Sequence, residues 1–328
     1  YRKHPDWILQ TPGRRVSHGR YQYVLDFSRK EIVDYIYGMI AKLLSESNIS
    51  YIKWDMNRSI TECYSIAYPA DQQGEIFHRY ILGVYDLYER LTSAFPEVLF
   101  ESCASGGGRF DPGMLYYAPQ GWVSDDSDAV ERLKIQYGTS MCYPLSSMGS
   151  HVSVIPNHQV FRNTPLHTRA NVAYFGTFGY ELDLNKLSDA EIEEVKAQIR
   201  FMKEYRELLQ FGTFYRLKSP FNGNETVWMV VSEDKSKALV GYYRVLNGVN
   251  LPYSCVKLQG LDPDKLYENE LANTEHYGDE LMNLGLITTD VSAGEVPQSA
   301  EPCTDFESRI YLLKEKQSGC IGAETVSK

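Results

Sequence analysis

The chain has 328 residues, with 33 basic against 43 acidic side chains and a net charge of −10. Hydrophobic residues make up 43% and charged residues 23%, which is ordinary globular composition and argues against disorder. The acidic balance argues against a nucleic-acid partner, and no run approaches 18 apolar residues, so no membrane-spanning helix is expected. Six cysteines, Cys63, Cys103, Cys142, Cys255, Cys303 and Cys320, are scattered without a CxxC. That pattern fits free thiols in the reducing cytoplasm better than a disulfide frame or a zinc site.

The first 210 residues alternate between strand and helix periods. Tyr21–Phe27 reads as a strand, and Ser28 with Glu31 as a capping box opening a helix with Ile32, Val33, Ile36, Ile40 and Leu43 at helical spacing. Ile49–Trp54 reads as the next strand, giving a βαβ unit with parallel strands. A helix over Glu75–Phe95 stops at Pro96, and Val98–Ser102 follows as a strand. Gly121–Ser124 is a short strand, followed by a helix from Asp128 to Met141. Ser147–Val152, a helix over Pro165–Phe175, a strand at Tyr180–Leu182 and a long helix capped by Ser188 and Glu191 complete the series.

Six strands, each followed by a helix, fit either part of a (β/α)₈ barrel or an open doubly wound sheet. After residue 212 the texture becomes antiparallel. Thr226–Val231 and Lys237–Arg244 flank a polar turn at Ser232–Ser236, and Tyr253–Leu258 and Arg309–Leu313 are further strands. The expected domains are 1–212 and 213–328.

Three segments could carry chemistry. Lys53-Trp54-Asp55 closes a strand, and period two puts Lys53 and Asp55 on one face. A lysine beside an aspartate keeps it ionised, as a nucleophile requires, although a strand-end ion pair explains it equally. Trp122-Val123-Ser124-Asp125-Asp126-Ser127-Asp128 crowds three carboxylates together. Their repulsion favours a retained proton and hence a general acid, while Asp126 and Asp128 read better as caps of the next helix. A metal-binding DDxxD box would need an all-helical fold. Cys103 to Arg109 holds three glycines, either a ligand-binding loop or a tight turn, with Arg109 and Asp111 as a structural pair. Aromatic residues at 13%, including 25 Tyr, suit sugar stacking as well as core packing. The seven His show no metal-ligand spacing.

Taken in order, HPDW at His4–Trp7, GRYQYVLDFS at Gly19–Ser28, YIKWDMNR at Tyr51–Arg58, ESCASGGGRFD at Glu101–Asp111, WVSDDSD at Trp122–Asp128 and the PNHQ and TRA stretch of His151–Ala170 resemble the family 36 glycoside hydrolases, the microbial α-galactosidases. The resemblance covers nearly the whole chain. It implies a (β/α)₈ barrel, here its carboxyl-terminal six βα units, followed by an antiparallel β-sandwich. It implies a retaining mechanism without metal or cofactor, on melibiose- and raffinose-type α-galactosides, in a homo-oligomer, a tetramer when full length. The family's nucleophile falls on Asp55 and its acid/base on Asp125. Lys53, Cys103, Gly106 and Trp122 fall on positions lining the galactose pocket, as does Arg20, which the strand reading puts at the wrong end of Tyr21–Phe27. The family's large N-terminal β-sandwich, its two earlier barrel strands and their Asp-Asp-Gly-Trp motif have no counterpart here. The chain therefore resembles the carboxyl-terminal part of such an enzyme, whose barrel cannot close from this segment alone. The alternative is a catalytically silent fragment or sugar-binding remnant.

Overall fold

The computed structural model describes residues 1–249, 254–288 and 305–316. They form two compact units, Tyr1–Asp125 and Asp126–Lys328.

In the first unit α1 (Lys30–Glu46), β1 (Tyr51–Asp55), α2 (Ile76–Ala94), β2 (Leu99–Cys103), α3 (Pro112–Tyr117) and β3 (Gln120–Gly121) follow one another. The strands form a parallel sheet in the order β1-β2-β3. Helix α2 exists because Ile76, Tyr80, Val84, Leu87, Tyr88 and Leu91 make one stripe at helical spacing, and all six are buried. Each such side chain contributes roughly 1.5–3 kcal/mol when removed from water, before the entropy cost of ordering. The stripe meets Ile32, Val33 and Leu44 of α1 and Phe100 of β2 in one core.

Two expectations fail here. Tyr21–Phe27 is not a strand: it makes only isolated bridges, Ile8 with Leu25 and Gly19 with Gln22. Arg20 and Tyr21 lie at φ 53° and 59°, which is incompatible with extended backbone, and the Gln22 N–H bonds the Gly19 carbonyl at 2.9 Å to close a turn. The rest of the segment is pinned to residues 7–9, with Leu9 N–H to Val24 O at 3.0 Å and Asp26 N–H to Trp7 O at 2.8 Å. The Ser28–Glu31 capping box is also absent. The Ser28 hydroxyl donates to the buried Asp26 carboxylate, and Glu31 is taken by Arg29 at 2.7 Å. Helix α1 starts after Arg29, with no side-chain cap.

In the second unit α4 (Ala129–Thr139), β4 (Gly149–Ser153), α5 (Leu166–Ala173), β5 (Thr177–Glu181) and α6 (Asp189–Phe211) continue the alternation, and β4 and β5 pair in parallel. The Ser188–Glu191 capping box on α6 forms as expected. After Gly212 come β6 (Thr213–Lys218), β7 (Glu225–Val231), β8 (Lys237–Arg244), β9 (Cys255–Val256), β10 (Leu266–Asn269), β11 (Thr274–Tyr277), α7 (Gly278–Asn283), β12 (Leu286–Ile287) and β13 (Glu307–Glu315). Six of these strands form a sheet in the order β11-β10-β13-β8-β7-β6, and β12 pairs with β9, all antiparallel. Tyr253, the first residue of one expected strand, lies outside the described residues, as do Cys303 and Cys320. Alternation along β7 and β8 sends Val227, Met229, Val231, Val240 and Tyr242 to one core. On the opposite face the Trp228 ring packs 5.4 Å from Phe175 and 5.2 Å from Tyr243.

The class of fold is the one expected, βα units with parallel strands followed by an antiparallel β domain, and β6, β10, β11 and β12 are additions to it. Among the described residues five parallel strands stand where six were read, because the first became the strained turn at Arg20 and Tyr21.

Candidate active site

The C-terminal ends of β1 and β2 meet in strict register, Lys53 opposite Glu101 and Asp55 opposite Cys103. Alternation therefore places four chemically active side chains on one face of two neighbouring strands. Asp55 is exposed at the end of β1. The Asn57 amide donates to its carboxylate, and the Asn57 carbonyl oxygen Oδ1 accepts the Ser105 N–H at 2.8 Å. The Ser105 hydroxyl adds a bond to the Asn57 backbone carbonyl at 3.1 Å. Asn57 thus ties the Asp55 carboxylate to the glycine-rich loop that follows β2.

That loop in turn lies against Asp125. Gly106 has φ +73°, and a Cβ placed on it would sit 2.8 Å from the Asp125 nitrogen and 2.7 Å from the Ser124 Cα. Only glycine allows both the left-handed backbone and this approach. Gly107 is equally tight against the Val123 carbonyl oxygen at 2.7 Å. One loop therefore bonds the segment carrying Asp55 and abuts the segment carrying Asp125. Asp125 is exposed, and Trp122 before it is buried, extending the ladder through its N–H to the Ser102 carbonyl at 2.9 Å.

Cys103 is 5% exposed. Burial pushes its thiol up to about 11, helped by the charge of Asp55 and a side-chain hydrogen bond to it, while a backbone bond at Gly106 and the Lys53 charge act the other way. The thiol therefore stays protonated at neutral pH, across the sheet from the Asp55 carboxylate.

The partner of Lys53 differs from the expected one. Its ammonium lies 3.4 Å from Glu101 Oε1 and 4.3 Å from the centre of the Trp122 ring. The sequence pattern pointed to Asp55, two residues along the same strand. The register across the sheet supplies Glu101 instead, whose carboxylate is 3% exposed.

Arg20 is exposed in the turn of residues 19–22. Arg58, three residues beyond Asp55, donates to the Gln22 carbonyl at 3.3 Å, and a Cβ placed on Gly19 would sit 3.2 Å from its side chain, so this turn is fastened to the loop after β1. Arg109 donates to the Met56 carbonyl at 2.6 Å, while Asp111 caps α3 through the Met114 N–H at 2.9 Å. They have separate partners and are not the pair expected. Asp128 caps α4 through the N–H groups of Val130 and Glu131 and pairs with Arg162, and Asp126 accepts the Asp128 N–H at 3.0 Å. Asp128 is the helix cap foreseen for it. Sequence reading missed Asn57 and Glu101. The signal for Glu101 was its two-residue spacing from Cys103, which sets both on one strand face.

Among the described residues no cluster of three or more His, Cys, Asp or Glu is arranged to hold a metal ion, and no helix is long and apolar enough to cross a membrane.

Parallel βα units with carboxylates at a strand end, followed along the chain by an antiparallel β domain, define the fold class. The particular family follows from comparison with known proteins. The chain belongs to the Melibiase family, whose model matches residues 1–212, and residues 225–313 match the glycosyl hydrolase family 36 C-terminal domain. It is 56% identical over 317 residues to alpha-galactosidase AgaA of Geobacillus stearothermophilus, covering 97% of this chain and 42% of that protein. The crystal structure of the alpha-galactosidase from Lactobacillus brevis superposes with a TM-score of 0.92 at 48% identity, over 97% of this chain and 42% of that one. A variant of AgaA in complex with raffinose superposes with a TM-score of 0.90 at 52% identity, over 96% of this chain and 42% of that one. The chain thus spans about two fifths of the length of these relatives.

Proposed function

We propose that this chain carries the catalytic pair of a retaining α-galactosidase, with Asp55 as nucleophile and Asp125 as acid/base. The observation behind the reading is the glycine-rich loop of residues 103–109, which hydrogen-bonds the Asp55 segment through Asn57 and abuts the Asp125 backbone at Gly106. Asp55 attacks the anomeric carbon of a terminal α-galactosyl unit while Asp125 protonates the departing glycosidic oxygen. The product is a β-linked galactosyl ester on Asp55. Asp125 then deprotonates a water that releases α-galactose. Such a pair works at a carboxyl separation of roughly 5–5.5 Å, too close for an intervening water.

Lys53, Cys103, Gly106, Trp122 and Arg20 line the galactose site. The protonated Cys103 thiol steadies the charge of Asp55. Melibiose and raffinose-type oligosaccharides are the substrates, a reading supported by the relatives' names and the raffinose complex. Residues 1–212 belong to the catalytic barrel and 213–328 to the C-terminal β domain. The intact protein is a cytoplasmic homotetramer that needs no cofactor.

The test is the configuration of the first-formed product. Proton NMR of melibiose hydrolysis by the intact protein should show α-galactose before mutarotation. A β-galactose burst would overturn the retaining assignment, and no turnover of any α-galactoside would leave a sugar-binding remnant.

A further inference from the structure

Glu101 is a buried carboxylate, 2% exposed, that the mechanism above does not use. Its Oε2 is well supplied: the Tyr51 hydroxyl donates to it, and the Gln120 amide lies at 3.3 Å. Among the described residues its Oε1 accepts no hydrogen bond, and faces the Lys53 ammonium at 3.4 Å. Tyr51, Glu101 and Gln120 come from three adjacent strands of one sheet, so the carboxylate itself is held fixed. Burying an ionised carboxylate is costly unless a charge partner answers it. Lys53 is the cation that answers it here, and its other neighbour is the face of Trp122 at 4.3 Å.

A lysine at position 53 has a second carboxylate within easy reach. Asp55 projects from the same face of the same strand, two residues on. An ammonium paired closely with Asp55 would neutralise the nucleophile and occupy the space of the sugar. Glu101 and the Trp122 ring draw it the other way.

We propose that Glu101 is a positioning residue that holds the Lys53 ammonium off Asp55 and directs its remaining donors to a galactose hydroxyl. The proposal deepens the α-galactosidase reading and rests on it for the identity of the sugar. Tyr51 and Gln120 serve the arrangement by fixing the far oxygen of Glu101.

The test is a double-mutant cycle in the intact protein, with Glu101→Gln and Lys53→Met, read as kcat/KM on melibiose. Glu101→Gln keeps the shape and the Tyr51 and Gln120 contacts but removes the charge. With Lys53 present it should lower kcat/KM by about tenfold or more, and in the Lys53→Met background by less than about twofold, since residues acting through one another are non-additive. Equal losses in both backgrounds, or no loss with Lys53 present, overturn the proposal. If Glu101→Gln fails to fold, Glu101→Asp retains the charge but withdraws it, and the same cycle applies. A second readout needs no activity: the ¹³C resonance of reductively methylated Lys53, assigned by its loss in Lys53→Met, should move in the Glu101 variant. Movement of that resonance in a protein without α-galactosidase turnover sinks the functional reading and leaves the Glu101–Lys53 coupling standing. Turnover with additive mutations and an unmoved resonance sinks the positioning role and leaves the functional reading standing.

Discussion

Asp55 and Cys103 are register partners across β1 and β2, and burial, with the charge of Asp55 adding to it, pushes the Cys103 thiol up to about 11. The pairing sets a neutral thiol opposite the strand-end carboxylate, to which the Asn57 amide donates. It also gives Cys103 an unusual titration. The folded state raises the thiol above its ordinary value of about 8.5, so the protonated form is the one the fold favours. That stabilisation is complete below the ordinary value and is lost as the pH rises through about 11. We predict that alkylation of Cys103 by iodoacetamide, followed by peptide mass spectrometry, climbs about tenfold per pH unit through pH 9–10 without levelling. Asp55→Asn, which removes the charge, should bring the plateau to lower pH. Levelling near pH 8.5 in the unmodified protein would contradict the pairing.

Asp55→Ala in the intact protein should lower turnover of aryl α-galactosides by more than about 10³-fold, as removal of a covalent nucleophile does. Azide should restore a product, β-galactosyl azide, by filling the vacated position. Near-normal activity of the variant would remove Asp55 from the role.

For Asp125→Ala the loss should depend on the leaving group. General-acid assistance is worth about 10²–10⁴-fold where the departing oxygen is basic, and little where it leaves unaided. Melibiose hydrolysis should therefore collapse while an activated aryl galactoside is still cleaved to the galactosyl-enzyme. A parallel loss on both substrates would point to a structural role for Asp125.

The Gly106 contact makes a prediction about architecture. Gly106→Ala must relieve a 2.7 Å approach to the Ser124 Cα and a 2.8 Å approach to the Asp125 nitrogen, from a backbone at φ +73°. Neither neighbour is a side chain that can swing away. Activity should fall by at least about tenfold through displaced Asp125. Wild-type kinetics for this variant would show that the loop does not position the acid/base segment.

In the β domain the Trp228 ring is fully buried and its indole N–H donates to the Tyr243 hydroxyl at 3.0 Å. The Tyr243 hydroxyl donates in turn to the Asn171 carbonyl at 2.6 Å. Trp228→Ala should cost about 3–5 kcal/mol, from the cavity together with the lost hydrogen bond to the Tyr243 hydroxyl. Thermal unfolding followed by circular dichroism checks it. A shift within error would mean that the site collapses without penalty.

Local periodicity was enough for whatever repeats locally. The helix read over Glu75–Phe95, the capping box of α6 and the hairpin of β7 and β8 are written in consecutive residues, and each forms close to where the sequence puts it. The same holds for Asp55 and Lys53, which share a strand face whatever surrounds them. Tyr21–Phe27 shows where local reading stops. Its composition is that of a strand, yet the chain must turn at Arg20 and Tyr21 and lie against residues 7–9, and contacts remote in sequence outweigh propensity. The partner of Lys53 was decided in the same way. Sequence places Asp55 two residues along, but only the register of β1 on β2 brings Glu101 opposite, because cross-strand neighbours are set by hydrogen bonding between segments about fifty residues apart. So the amino-acid sequence determined most of the element types and the candidate carboxylates Asp55 and Asp125. The tertiary structure decided which side chains hold them, since a buried charge takes the partner that the packing delivers.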